Sequence, residues 1–356
     1  MCKRKWLILS LLPTLFLTGC WDRKDPEDRA FIISLGVDDT AEGYRFTFAP
    51  ADIEKGEAEA YAAESETLAG AVARVDAKTS KKTDLGQLKT IILERDVLEK
   101  REKLDALLRE LERSHTVSEK VMLLATEDDA GDCIKGVMKE DGKTGLFLWD
   151  FYKNTAREVA VTKGMDLDTF LTERVEQGGN IVLPRISVKE EKLELGGGLA
   201  MAQDGVYPLQ DEEERGYLFL LGEAEGALLE GEYNGQKIPL EIGKCEAKYD
   251  FSLGEKGIVC TVTLPMEGML QGGEGLFLSA EEQEELEAVF SAVIKEEIRH
   301  TLRIAEGAKT DLFGILPRMK QQAPALAAGV SDRAIWSGLT FDIQPELQIK
   351  DMGRKR

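Results

Sequence analysis

The chain has 356 residues, 43% of them apolar, with 66 acidic against 46 basic residues and a formal net charge of −20. That length and apolar share suit two or three domains with real cores, and so acidic a surface repels nucleic acid and anionic lipid headgroups, which argues against a peripheral electrostatic grip on either. With histidine only at 115 and 300, a site built on several histidine ligands, or on a histidine relay with a matched orienter, has little to draw on.

The N-terminus carries the first specific signal. Lys3, Arg4 and Lys5 precede an apolar run from Trp6 to Leu17, which closes on Leu17-Thr18-Gly19-Cys20. A basic start, a short apolar middle and small residues before a cysteine make an export signal ending in a lipidation site. The run is about a dozen residues, against roughly 20 for a spanning helix, so residues 1–19 read as a cleaved lipoprotein signal peptide. The Cys20 thiol is the nucleophile that takes a thioether-linked diacylglycerol, and small Thr18 and Gly19 leave the preceding bond open to a peptidase. Two or more acyl chains, at about 0.8 kcal/mol per buried methylene, hold a protein on a bilayer. The body after Cys20 is expected outside the cytoplasm, since no later run is long and apolar enough to cross a membrane.

Trp21 to Arg29 is charged and reads as a tether or first turn. Phe31 to Val37 and the alternating Tyr44 to Phe48 predict a hairpin around Asp38 to Gly43. Residues 51–63, rich in Ala and Glu without an apolar stripe, read as a loop or weak helix. Leu68, Ala71, Val72 and Val75 share a helical face; Lys89 to Leu93 is a buried-type strand; Leu104, Leu107, Leu108 and Leu111 mark a helix, and Val121 to Ala125 a second apolar strand. This is the pattern of a helix packed across two strands of one sheet. Further helices are predicted near 129–140 and 166–177, the latter stopped by Gly178-Gly179-Asn180.

From there β signals dominate. Ile186 to Leu195 and Gly198 to Met201 read as strands, Gly205 to Pro208 as a turn, Glu212 to Leu221 as a short helix. Strands follow at Ala227 to Tyr233, Lys237 to Ile242, Ala247 to Leu253 and Ile258 to Pro265, with Asn234-Gly235 the strongest hairpin signal. Gly268 to Gly275 breaks the pattern. Ser279 and Glu282 form a capping box, and Leu286, Val289, Phe290, Val293, Ile294, Ile298 and Leu302 carry an apolar stripe along the longest helix, to about Ala305. A helix or loop with Pro317 and Pro324 precedes one or two closing strands in Ile335 to Ile349. The fold expected is α+β, an elongated multi-domain body with mixed sheets and a long amphipathic C-terminal helix. Its divisions are a signal peptide (1–19), a mixed α/β-type domain (20–185), a β-rich domain (186–268) and an α+β domain (269–356).

The search for chemistry returns little. The chain lacks a phosphate loop and a G-x-S-x-G nucleophile turn. Gly196-Gly197-Gly198 reads as a bend or bulge. Asp38-Asp39, Asp128-Asp129 and Asp211 to Glu214 lack calcium-loop spacing and read as solvated turns or helix starts. His300 is expected to serve the dipole at a helix C-terminus, and Trp336 to be core. Cys133, Cys245 and Cys260 have no metal spacing and are expected as buried free thiols rather than a disulfide. No catalytic residue, metal or cofactor is nominated, which shifts weight toward binding or assembly.

The start Cys20-Trp-Asp-Arg-Lys-Asp-Pro-Glu-Asp-Arg-Ala-Phe-Ile-Ile-Ser-Leu-Gly-Val-Asp38 resembles the mature start of the Ger(x)C lipoproteins, the C subunits of spore germinant receptors. Gly198 to Leu209, Glu214-Arg-Gly-Tyr-Leu-Phe-Leu-Leu-Gly222, the long helix with Thr310-Asp-Leu-Phe-Gly314, and Trp336 are similar to later family segments, in family order. Residues 51–63 and the acidic Asp211 to Glu214 depart from the pattern. The resemblance implies a non-catalytic subunit with three α+β domains, lipid-anchored through Cys20 on the outer face of the spore inner membrane. Trp21 and Asp22 would be membrane-proximal contacts, and membrane-embedded A and B subunits the partners in nutrient-triggered germination. The alternative is a solute-binding lipoprotein that delivers a small molecule to a transporter, a class that needs a cleft between two lobes.

Overall fold

The computed structural model describes residues 26–51, 60–141, 146–162, 164–176, 180–190, 192–202, 204–255, 257–271, 279–328 and 331–350. Cys20, Trp21, Asp22, the leader and the stop at 178–179 lie outside them.

The first half builds a ten-stranded mixed sheet. In chain order its elements are β1 (Arg29–Thr40), β2 (Gly43–Pro50), β3 (Tyr61–Ser65), α1 (Leu68–Asp76), β4 (Lys82–Asp84), β5 (Thr90–Glu94), α2 (Arg95–Glu99), α3 (Arg101–Arg113), β6 (Met122–Thr126), α4 (Ala130–Asp141), α5 (Phe147–Asp150), β7 (Met165–Asp166), α6 (Leu167–Glu176), β8 (Ile181–Lys189), β9 (Lys192–Ala202) and β10 (Gly205–Leu209). The main path runs β10-β9-β8-β6-β5-β1-β2-β3, with β4 beside β1 and β7 beside β6. Its centre is parallel, β1 with β5 and β5 with β6, and antiparallel ribbons flank it on both sides.

The continuous apolar runs of β5 and β6 follow from cover on both faces. Ile91, Leu93, Leu123 and Ala125 pack with Leu104, Leu107, Leu108 and Leu111 of α3. Ile92 and Leu124, pointing the other way, meet Cys133, Ile134 and Val137 of α4. Two polar side chains inside this centre satisfy each other, Thr90 donating to Ser34 at 2.8 Å.

The second half is a five-stranded sheet under one long helix. Its elements are α7 (Asp211–Leu221), β11 (Leu228–Tyr233), β12 (Gln236–Cys245), β13 (Lys248–Gly254), β14 (Gly257–Leu270), α8 (Ala280–Ala308), α9 (Ile315–Gln322), α10 (Pro324–Ala327), α11 (Asp332–Gly338) and β15 (Leu339–Ile349). Asn234 and Gly235, with φ of 52° and 74°, join β11 to β12 in a two-residue turn of the sign that matches strand twist. β12 and β13 lie end to end along one edge of β14, and β15 runs parallel along the other, from Ile258↔Leu339 to Gly268↔Ile349.

Burial along β14 alternates over its second half, the mark of a sheet covered on one face. The cover is α8. Ser279 accepts from the Glu282 N–H at 3.2 Å while Glu282 reaches back to the Ser279 N–H at 2.8 Å, and Leu286, Phe290, Ile294, Ile298 and Leu302 face the sheet. Gly231 of β11 gives Phe290 its seat, since a Cβ there would stand 2.9 Å from the ring.

The α+β class and the long amphipathic helix agree with the sequence expectation; several details do not. Position 185/186 falls inside β8, and β8 to β10 extend the first sheet as far as Leu209; position 268/269 falls inside β14, and residues on both sides of it share one sheet and one core. Burial of main-chain donors explains both: a strand whose neighbour lies across the proposed cut cannot be separated from it without exposing its ladder. The described end of the 51–63 segment is edge strand β3, held by pairing to β2 rather than by an apolar stripe. Gly205 to Leu209 is a strand rather than a turn. The expected single strand Ile186 to Leu195 is two strand ends of the β8–β9 hairpin, paired from Ile186↔Leu195 to Lys189↔Lys192 and reversed at Glu190 with φ 50°, and α11 occupies the first part of the expected closing strand.

Candidate functional site

The chain enters the fold at Arg29, and a groove of about 780 Å³ opens beside it. β4 pairs with the first residues of β1, Arg29↔Lys82 to Phe31↔Asp84, and α1 and α3 form the walls. The walls are locked to each other: Glu110 of α3 accepts from the Leu68 and Ala69 N–H groups at 2.8 and 2.9 Å, while Thr67 accepts from Gly70 at 3.1 Å. Together they satisfy donors that the first turn of α1 would otherwise leave orphaned. Leu68, Val72 and Leu85 line the apolar part, and Arg29, Lys82, Arg109 and Arg113 stand around it. Arg29 pairs with Asp84, which also accepts from Gly86 at 2.8 Å. Burial opposes ionisation of Asp84, but those two donors outweigh it and hold its carboxyl below the usual carboxylate range.

A second constellation joins the two sheets. Gly196 and Gly197 have φ of 150° and 77° within β9, beside the register shift between Pro184 and Ile186, so this stretch is the bulge expected. Glu214, on the first turn of α7 and 3% exposed, accepts from the Gly197 N–H and from the Thr162 N–H, both at 2.7 Å. Burial pushes its carboxyl above the ordinary range against the pull of those hydrogen bonds. On the next residue, Arg215 forms a two-pronged pair with Glu297 of α8, at 2.6 and 3.1 Å. Gly216 lets the helices touch, because a Cβ there would fall 2.5 Å from the Glu297 carbonyl oxygen. α7 is therefore bonded to both sheets' layers at once.

Other nominated residues resolve structurally. The acidic pairs are not solvated turns throughout: Asp38 is buried and accepts from the Ala130 N–H at 2.5 Å, capping α4, while Arg45 bridges it to Asp129. Asp128 accepts from Val188 at 2.8 Å. The low dielectric of these sites makes such pairings obligatory, and a charge count along the sequence does not reveal it. His300 lies two turns before the end of α8 and faces Glu212 and Glu296 at 3.4 and 3.0 Å, so its partners are carboxylates rather than the helix terminus. Trp336 is core, 5.9 Å from the Phe341 ring.

Cys133, Cys245 and Cys260 are free and buried, burial raising their thiols to about 12, about 11 and about 12. Cys245 pairs in register with Met266, and Cys260 with Phe251, so the two do not oppose each other. Among the described residues no group of three or more His, Cys, Asp or Glu side chains is placed to hold a metal ion, and no helix is long and apolar enough to cross a membrane.

A sheet flanked by helices, joined through one short helix to a one-sided sheet under a long helix, is also the fold of the crystal structure of the GerBC protein. The superposition has a TM-score of 0.61 at 16% identity and covers 88% of this chain and 96% of that one. Residues 22–188 match the model of the spore germination protein N-terminal domain, and residues 198–353 that of the spore germination B3/GerAC-like C-terminal region. The chain belongs to the Ger(x)C family of spore germination proteins. It is 28% identical to the spore germination protein GerQC of Bacillus cereus over 198 residues, which spans 54% of each chain. It is 22% identical to the putative spore germination protein YfkR of Bacillus subtilis (strain 168) over 361 residues, covering 94% of this chain and 88% of that one.

Proposed function

We propose that this protein is the lipid-anchored, non-catalytic C subunit of a spore germinant receptor, held through Cys20 on the outer face of the spore inner membrane. It is needed there for assembly of, or signalling by, membrane-embedded A and B subunits. The observation that carries this reading is the pair of family matches, in order along the chain, the first beginning two residues after Cys20. The leader chemistry supports it, since a thiol after small residues at the end of an apolar run is what diacylglycerol transfer requires. Tethering turns a three-dimensional search for membrane partners into a local one and raises effective concentration without new contacts. Modest interfaces on the body then suffice. Trp21 and Asp22 would sit at the membrane surface.

The test is Cys20→Ala expressed at native level in spores. The expected product is folded but absent from the membrane fraction, with nutrient-triggered germination slowed several-fold and mass spectrometry of the wild type showing a lipid-modified N-terminal cysteine. A wild-type nutrient response from an unlipidated, fully soluble product would falsify this reading. The cavity beside Arg29 lies among elements of one sheet; the cleft a solute-delivery reading would use is the one of about 810 Å³ lined by Val175, Asn180 and Asp204 on one side and Lys309, Asp311 and Trp336 on the other, and a thermal shift with amino acids or sugars would favour that reading.

A further inference from the structure

The groove at the start of the fold is opposite in sign to the molecule that carries it. The chain has a net charge of −20, yet Arg29, Lys82, Arg109 and Arg113 all line this one cavity. Three acids line it as well: Asp84 pairs with Arg29 and Glu110 accepts from the first N–H groups of α1, which leaves Glu66 as the exposed carboxylate among four cations. Lys82, Arg109 and Arg113 are exposed and make no ion pair with any described residue. Three cations outside any ion pair, around an apolar floor of Leu68, Val72 and Leu85, are complementary to an amphiphile with an anionic head.

We propose that this groove is the membrane-facing surface of the protein and seats an anionic phospholipid of the bilayer, its headgroup phosphate on Lys82, Arg109 and Arg113 and its glycerol–acyl boundary on Leu68, Val72 and Leu85. Its placement rests on the reading of Cys20 as the lipid-bearing residue. Arg29 follows Cys20 by only nine residues, a reach of at most roughly 30 Å, so the tether keeps this face near the bilayer. The acidic remainder of the body is repelled by the same surface. Attraction on one face and repulsion on the others orient the molecule as well as hold it.

The test uses the full, lipid-bearing chain on vesicles of phosphatidylcholine alone or with one-third phosphatidylglycerol, followed by hydrogen exchange. Amides of residues 82–85 and 106–113 are expected to exchange at least fivefold more slowly on the phosphatidylglycerol vesicles. In Lys82→Glu/Arg109→Glu/Arg113→Glu, whose three exposed changes leave the core untouched, that difference is expected to vanish while the protein still sediments with both vesicles. Equal protection on the two vesicle types, or a difference that survives the triple substitution, overturns the proposal. A wild type that fails to sediment with phosphatidylcholine vesicles overturns the anchor reading instead. The groove is then decided by sedimentation with phosphatidylglycerol vesicles, where binding lost in the triple variant supports it and absence of binding ends it.

Discussion

The two sheets of this molecule solve the problem of burying apolar strands in opposite ways. β5 and β6 are sandwiched, with α3 on one side and α4 on the other, and every residue from Met122 to Thr126 is buried. β14 is plated on one side only, and its burial alternates. The first arrangement spreads its dependence over several helices and tolerates a groove between two of them. The second leans chiefly on α8, with α9 and α11 packed against β13 and β14, and its groove, of about 520 Å³, lies between α8 and the start of β15.

That contrast is easiest to break at Phe290. Removing its ring, fully buried against Gly231, is expected to cost about 3–5 kcal/mol. In hydrogen exchange of Phe290→Ala the loss should concentrate in β11 to β15 and leave β5 and β6 close to wild type. Equal acceleration in both sheets would show that the halves open as one unit and that the contrast has no energetic meaning.

The joint between them is the next test. Glu297→Ala leaves Arg215 inside the α7–α8 contact without its counter-charge, and breaking such a pair is expected to cost about 3 kcal/mol, read from the urea midpoint. Glu214→Gln is milder, about 1–2 kcal/mol at low pH, because an amide offers one acceptor where the Thr162 and Gly197 N–H groups need two. Its pH dependence has a definite sign. A carboxyl whose folded value lies above its unfolded value gives stability present below the ordinary value of 4.5 and lost as pH rises through the folded value. The wild type's advantage over Glu214→Gln should therefore shrink as pH rises above 4.5; an advantage that grows would mean that the hydrogen bonds outweigh burial. Gly235→Ala, in open space but with φ of 74°, is expected to cost only about 1 kcal/mol and to leave the first sheet's exchange unchanged.

What the sequence reveals follows the same division. Local chemistry is legible: the Ser279–Glu282 capping box, the Asn234-Gly235 turn, the apolar stripe of α8 and the Gly196-Gly197 bulge all depend on residues a few positions apart. Pairings between distant segments are not. β15 joins β14 across about 80 residues, and β3, acidic and Ala-rich, is a strand only because β2 offers it an edge. The groove was illegible for the same reason, since its cations come from β1, β4 and α3. A net charge summed over the whole chain pointed away from anionic lipid, whereas the folded molecule gathers four positive side chains at one place. Glu214 shows the converse: in sequence it is one of four consecutive acids, and only the fold separates the buried one from its solvated neighbours.

The parallel ladder between β14 and β15 also sets an order of events. Every strand of the ten-stranded sheet has been made once synthesis passes Leu209, so that half has its full set of partners while the rest of the chain is still to come. The other half lacks the strand that closes one edge of its longest member until residues 339–349 arrive. A polypeptide emerging from its N-terminus onward therefore carries a finished body and an open edge side by side from Leu270 to Leu339, about 70 residues of elongation, and a strand-binding chaperone should find its target in that interval.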